Sequence, residues 1–278
     1  MTAPTEPKAV TTAAPAGSPP RRIRISIRRG GHQLVQVLIT IVLIGAWQLL
    51  SGRVIDPLYI SSPSSVAQRL VSLARDGVLW PNAASTFGQS AVGFAAGAVA
   101  GVVIGNVMGI VRVFGRTAAP FVTFFYTLPR IAIAPLFVIW LGVGFSFKAA
   151  FVAFVVVFIF ITPIYAGLRD LDEDMVNGIR VMGGRRWTVI RMAILPQQVL
   201  WMTTTVKLAL PTAVATDIVA EFVASTKGLG YLMNEAAGTL DTASLLAEVV
   251  FISIVVTLVL GVITMLERYW FRWRADFR

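Results

Sequence analysis

Six long apolar runs, separated by short polar or basic intervals, decide what this chain can fold into. They cover roughly residues 34–50, 87–111, 119–141, 148–168, 199–222 and 245–266. Each approaches the length of about 20 residues that a helix needs to cross the hydrocarbon core of a bilayer. Inside lipid a segment must satisfy its own backbone hydrogen bonds, so such runs form helices. The expectation is an all-α membrane protein with about six transmembrane helices. Charged residues are 14% of the chain, against about 25% in soluble domains, which fits burial of nearly half of it in lipid.

The formal net charge of +10 raises nucleic acid as a partner, but the bases bunch at the edges of the apolar runs. Positive-inside topology accounts for that placement, so no nucleic-acid partner is expected. Residues 1–30 read as a disordered basic tail, rich in Ala, Pro and Thr, with five arginines between Arg21 and Arg29. A basic stretch before an apolar run imitates a signal peptide. The long tail ahead of it, and the lack of a small-x-small cleavage site, argue for a first span with a cytoplasmic N-terminus. Six spans then put both termini in the cytoplasm. The spans and their connections make one domain over residues 31–274, followed by a short end over 275–278. Tyr269, Trp270 and Trp273 beside arginines suit a membrane interface.

Ser62-Pro63 can start a short helix with Val66, Leu70, Leu73 and Ala74 on one face, lying at the outer surface. The second run carries Gly93, Gly97, Gly101, Gly105 and Gly109, a four-residue ladder that lets another backbone approach closely. The third contains Pro120, Pro129 and Pro135 and cannot be a straight, fully bonded helix. Arg130 lies about 16 Å into that span, and Lys207 about 12 Å into the fifth. Asp217 and Glu221, on one face of the fifth, are roughly 15–20 Å beyond Lys207, too far to pair with it. Cations at mid-depth are costly unless they face water, carbonyls or an anion. Pro129, Arg130, Pro135, Lys207, Asp217 and Glu221 are therefore candidate pathway residues. Carbonyls freed at the proline breaks are an alternative partner for Arg130. Snorkelling, pairing or contact with a partner protein is the alternative for the two acids.

The longest charged interval between apolar runs is Arg169–Pro196. Acids come first (Asp170, Asp172, Glu173, Asp174) and bases later (Arg180, Arg185, Arg186, Arg191), which suits a helix macrodipole. Met175, Ile179 and Met182, then Trp187, Ile190 and Ile194, recur at helical spacing, with Gly183-Gly184 as a turn between them. The spacing predicts a helical hairpin outside the bilayer whose apolar residues need a partner protein. Pro196 is expected to end its second helix.

Asn177-Gly178-Ile179, then Gly183, then Leu195-Pro196 resemble the EAA signature of permease subunits of bacterial ABC importers, which reads E-A-A, three residues, G, nine residues, I-x-L-P. Here N-G-I replaces E-A-A, and Ala193 stands where Ile is usual. Leu128–Leu136, Trp140–Gly144 and Lys148 are similar to the third-span region of the subfamily serving nitrate, sulfonate and taurine. Glu221 with Gly228-Leu229-Gly230-Tyr231 is similar to its segment after span five. The resemblance implies a type I importer permease fold. It also implies a binding-protein-dependent role in the bacterial inner membrane, with a coupling hairpin at about 169–196. Asn177, Gly178, Ile179, Met182, Gly183, Gly184, Arg185, Leu195 and Pro196 would then couple to ATPases. Implied partners are two ATP-binding subunits, an identical second permease and an extracytoplasmic binding protein, with ATP and Mg on the ATPases and no cofactor here. The solute would be small, and anionic or aromatic/heterocyclic.

Other classes fit less well. The chain lacks the G-x-x-x-x-G-K-[ST] phosphate loop, and one histidine without any cysteine leaves no nucleophile–base set or thiolate metal site. A stand-alone secondary transporter would show related halves, and residues 34–150 do not repeat in 151–270.

Overall fold

The structure, a computed structural model, describes residues 29–270 apart from 55, 57, 171 and 172. Of the expected tail over residues 1–30, residues 1–28 lie outside the described residues and residues 29–30 belong to the first helix; Asp172 and residues 271–278, which include the expected C-terminal end over 275–278, also lie outside. Every element among the described residues is a helix. Residues up to Ala46 make one unit and those from Trp47 onward another. Helix α1 (Arg29–Leu50) carries the first apolar run, Leu34–Leu50. In the second unit, the Trp47 indole donates to the Ser61 carbonyl at 3.0 Å, and the Gln48 side chain both donates to and accepts from Ser64.

Helix α2 (Pro63–Arg75) starts where Ser62-Pro63 predicts, with the Ser62 hydroxyl accepting from the Ser65 amide at 3.2 Å. Its apolar face lies against protein rather than an interface. Val66 and Leu73 are buried, and Leu70 and Ala74 pack on a core that includes Leu229 and Ile252. Helix α3 (Leu79–Ile110) begins about two turns before the apolar run. It packs along α6 (Phe145–Arg169) through the glycine ladder. A Cβ on Gly93, Gly97 or Gly101 would lie 2.6 Å from the carbonyl oxygens of Ala149, Ala153 and Val157 respectively. The ladder is thus a packing device, as its spacing predicts.

The third run divides into α4 (Arg112–Thr127) and α5 (Arg130–Leu141), whose axes turn through 99°. Only one of its three prolines makes the break. Leu128, held extended at φ −60° and ψ 139° ahead of Pro129, leaves the helical region, while Pro120 and Pro135 sit inside their helices. After α6, α7 (Glu173–Val181) and α8 (Arg186–Val189) form the hairpin, and a π turn over Ile190–Ile194 leads into α9 (Leu195–Val223).

Two expectations are corrected here. Pro196 does not end the hairpin's second helix but lies in the first turn of α9. A proline lacks an N–H and its ring crowds the preceding turn. The wider π turn, in which the Leu195 amide reaches back to the Ile190 carbonyl, accommodates it without stopping the chain. The outer loop expected over residues 227–243 holds a helix, α10 (Leu229–Gly238), because Leu229 and Ala236 are buried against the core.

Helix α11 (Thr242–Trp270) is capped by Asp241, which accepts from the amide and hydroxyl of Ser244. Burial pushes the Asp241 carboxyl up, but those two bonds and Arg69 outweigh it and hold the group below its usual range. Among the described residues three helices, α3, α6 and α11, are long and apolar enough to cross a membrane, and the bent α4–α5 pair makes a fourth candidate. Helix α9 has 29 residues, long enough to cross, but carries Lys207, Asp217 and Glu221.

Candidate functional site

Polar and unpartnered side chains gather at the hairpin end and at the opposite end of the second unit. At the hairpin, α7 closes in a Schellman turn. The Gly184 amide donates to the Ile179 carbonyl and the Gly183 amide to that of Arg180, both at 2.9 Å. The two glycines serve different needs. Gly183 takes φ +83°, where an L side chain is strained. A Cβ on Gly184 would lie 2.6 Å from the Ile179 carbonyl oxygen. The turn throws apolar side chains outward: Val181 is 88% exposed, Met182 81% and Trp187 71%. Ile179, Ile190 and Ile194 are half-buried. Asn177, Gly178, Arg185, Leu195 and Pro196 are exposed, and nothing lies within 4 Å of a Cβ added to Gly178.

Between the hairpin, the end of α3, the start of α4 and the end of α6 lies a cavity of about 980 Å³. Arg112, Arg116, Arg169, Arg180, Asn177 and Tyr165 give it a basic, polar lining. The Arg169 guanidinium lies over the Tyr165 ring, 5.7 Å from its centre.

At the other end, Glu221 and Asp217 are fully buried. The Lys148 ammonium approaches Glu221 Oε1 at 3.5 Å and donates to Ser225 Oγ at 2.7 Å and the Lys227 carbonyl at 3.3 Å. Glu221 also accepts from the Thr86 hydroxyl at 3.0 Å and the Gly230 amide at 2.7 Å. Thr86 in turn accepts from the Leu229 amide, and Asn82 from that of Gly228. One carboxylate thus joins α3, α6, α9 and the start of α10. Gly228, at φ +125°, is required there, since a Cβ would overlap the Glu221 carboxylate. Asp217 accepts from Ser90 at 3.1 Å, and its Oδ1 has no partner. Of the readings open to these acids, pairing is the one Glu221 adopts. Neither acid lines the basic cavity.

Lys207 is not an isolated cation, because its ammonium pairs with Glu267 of α11. The expectation that it lacks an acid is corrected: no acid is within reach on its own helix, but another helix brings one. Pro129 is the N-cap of α5, Arg130 its first residue and Pro135 an exposed interior residue. The Arg130 side chain lies outside the described residues. Sequence reasoning missed Lys148 and Glu267 as charge partners. A lysine four residues into an apolar helix is itself a signal that a carboxylate must come from elsewhere.

The comparisons with known proteins agree with this architecture. Residues 93–274 match the family described as the binding-protein-dependent transport system inner membrane component. The riboflavin transport system permease protein of Chloroflexus aurantiacus is 30% identical over 244 residues, covering 87% of this chain and 90% of that one. The taurine transport system permease protein of Escherichia coli is 24% identical over 235 residues, covering 83% and 86%. Among solved structures, a chain of the MetNI methionine ABC transporter in an inward-facing conformation superposes with a TM-score of 0.58 at 17% identity. That match covers 66% of this chain and 92% of the other, a likeness of fold. The chain therefore belongs to the binding-protein-dependent transport system inner membrane component family, as the permease subunit of an ABC importer.

Proposed function

We propose that this permease, paired with an identical copy, forms the inner-membrane path for a small anionic or aromatic/heterocyclic solute handed over by an extracytoplasmic binding protein. Two ATP-binding subunits, carrying ATP and Mg, hold its hairpins from the cytoplasm. One observation supports the coupling role above others. A turn shaped by two structurally required glycines presents Val181, Met182 and Trp187 to solvent, and apolar surface of that kind marks a protein contact. The hairpin joins α6 directly and α9 through the π turn, so a push on its tip reaches both helices. Asn177, Gly178, Ile179, Met182, Gly183, Gly184, Arg185, Leu195 and Pro196 make up this coupling segment. Retention of an ATPase chain through purification of the full chain tests it, and a permease that transports without one refutes it.

Six spans with both termini in the cytoplasm complete the reading. Cytoplasm-only reporters fused at either terminus will be active, and tags near Ser64 or Thr239 will be reached from outside. An externally accessible C-terminus overturns this topology.

Arg130, at the break in the third span, is the proposed pathway cation. Arg130→Gln will cut transport at least tenfold while basal ATPase activity and assembly stay near normal. Arg130→Lys will recover part of the loss, because charge survives although the guanidinium fork does not. Unimpaired uptake by Arg130→Gln removes Arg130 from the pathway. Equal loss of folding and transport in both variants assigns it a structural role. Pro129, Pro135, Lys207, Asp217 and Glu221 complete the proposed pathway set, the last three through the pairings that hold α9 in place.

A further inference from the structure

We propose that the basic cavity beside the hairpin binds the phosphate headgroup of an anionic phospholipid, which brings the negative charge that none of its described lining residues carries. Arg116, Arg169 and Arg180 line the cavity, and among the described residues none of them has a carboxylate partner. Arg112 lines it as well, with an interaction of its own. No described lining residue is acidic. Like charges gathered around one open space repel unless an anion joins them. The hairpin position facing these arginines is Asn177, the first residue of the N-G-I triplet, where the signature it resembles has glutamate. With an amide there, the chain supplies no negative charge of its own at that position.

The cavity also has the setting of a lipid site. At about 980 Å³ it is far larger than one inorganic phosphate needs, and it suits a headgroup with its glycerol. Ile110 lines it, and Val113 and Phe114 lie next to Arg112 in the first turn of α4; at 65%, 79% and 45% exposed, the three give acyl chains an apolar surface to follow. A headgroup held here bridges Arg116 on α4 to Arg180 on α7, so it fixes the hairpin to the membrane domain. Cardiolipin, with two phosphates, engages Arg116, Arg169 and Arg180 together better than a lipid with one.

The proposal shares with the functional reading only the placement of this end in the cytoplasmic leaflet, which the reporter fusions test separately. The test uses the purified full chain in phosphatidylcholine nanodiscs, with or without a minor fraction of cardiolipin. Lipid retention is read by native mass spectrometry and hairpin order by amide exchange over Glu173–Val181. Wild type will retain cardiolipin, and its hairpin will exchange more slowly when the lipid is present. Arg116→Gln and Arg180→Gln will each weaken retention about fivefold, the equivalent of about 1 kcal/mol per arginine. Asn177→Glu, which puts a carboxylate among the arginines, will lose cardiolipin retention while keeping the slow hairpin exchange. Equal retention by wild type and all three variants overturns the site. Full displacement of cardiolipin by millimolar inorganic phosphate, with slow exchange maintained, overturns the lipid as the source of the anion.

Discussion

Gly101→Val will prevent the permease from assembling as a stable, monodisperse protein, whereas Gly261→Ala will be harmless. At Gly101 a Cβ alone would lie 2.6 Å from both the Val157 carbonyl oxygen and Phe160 Cβ, far inside van der Waals contact. The obstacle is backbone on the facing helix, so no rotamer change relieves it. Phe160 is itself fixed, fully buried and edge-on to Phe94 with ring centres 5.9 Å apart. Overpacking in a closed core costs about 1–3 kcal/mol, and a branched side chain forced between two backbones stands at or above the top of that range. That is a large share of the roughly 5–15 kcal/mol that stabilises a typical domain. At Gly261, on α11, nothing lies within 4 Å of an added Cβ, and alanine gains up to about 1 kcal/mol in helix propensity. Thermal unfolding in detergent, with size-exclusion profiles, measures both. A Gly101→Val protein as stable as wild type would show that α3 and α6 do not pack through the ladder.

The second large effect is on coupling rather than folding. Gly183→Asp will insert in the membrane normally but lose the ATPase subunits and substrate-stimulated ATP hydrolysis. The backbone at φ +83° disfavours most side chains, yet asparagine and aspartate tolerate that region, and nothing lies within 4 Å of the new Cβ. The turn survives at a cost of about 1 kcal/mol. The carboxylate, however, sits beside Met182 at the apolar tip, where docking buries it without a partner. Leaving a charge buried and unpaired costs about 3 kcal/mol or more, roughly a hundredfold in retention. Gly183→Asn separates the causes, since it shares the backbone cost without the charge and will keep most of the coupling. Normal substrate-stimulated activity in Gly183→Asp would mean that the hairpin is not the coupling element.

Several features were legible in the residues because they depend only on local geometry. The Ser62-Pro63 start of α2, the turn at Gly183-Gly184 and the shared face of the α3 glycines all follow from helix period and from what glycine and proline permit. The break at Pro129 was legible only in part. Three prolines mark the run, but only the one preceded by an extended Leu128 interrupts it, because the other two are carried inside their helices. Helix α10 was hidden for a different reason. Its short apolar face needed the α2, α9 and α11 surfaces before burying it stabilised a helix.

The amino-acid order by itself determined the apolar runs, the hairpin between them, the ladder and the positions of the intramembrane charges. Period and composition act over a few residues, and these features require nothing longer. Only the tertiary structure decided which charges meet. Lys148 joins Glu221, and Lys207 joins Glu267, across 73 and 60 residues of chain. Thr86 reaches Glu221 from 135 residues away. A buried charge must find a counter-charge, and the sequence shows that need. The helix that supplies the partner is set by which faces pack together, and packing is a property of the whole assembly of helices rather than of any one of them.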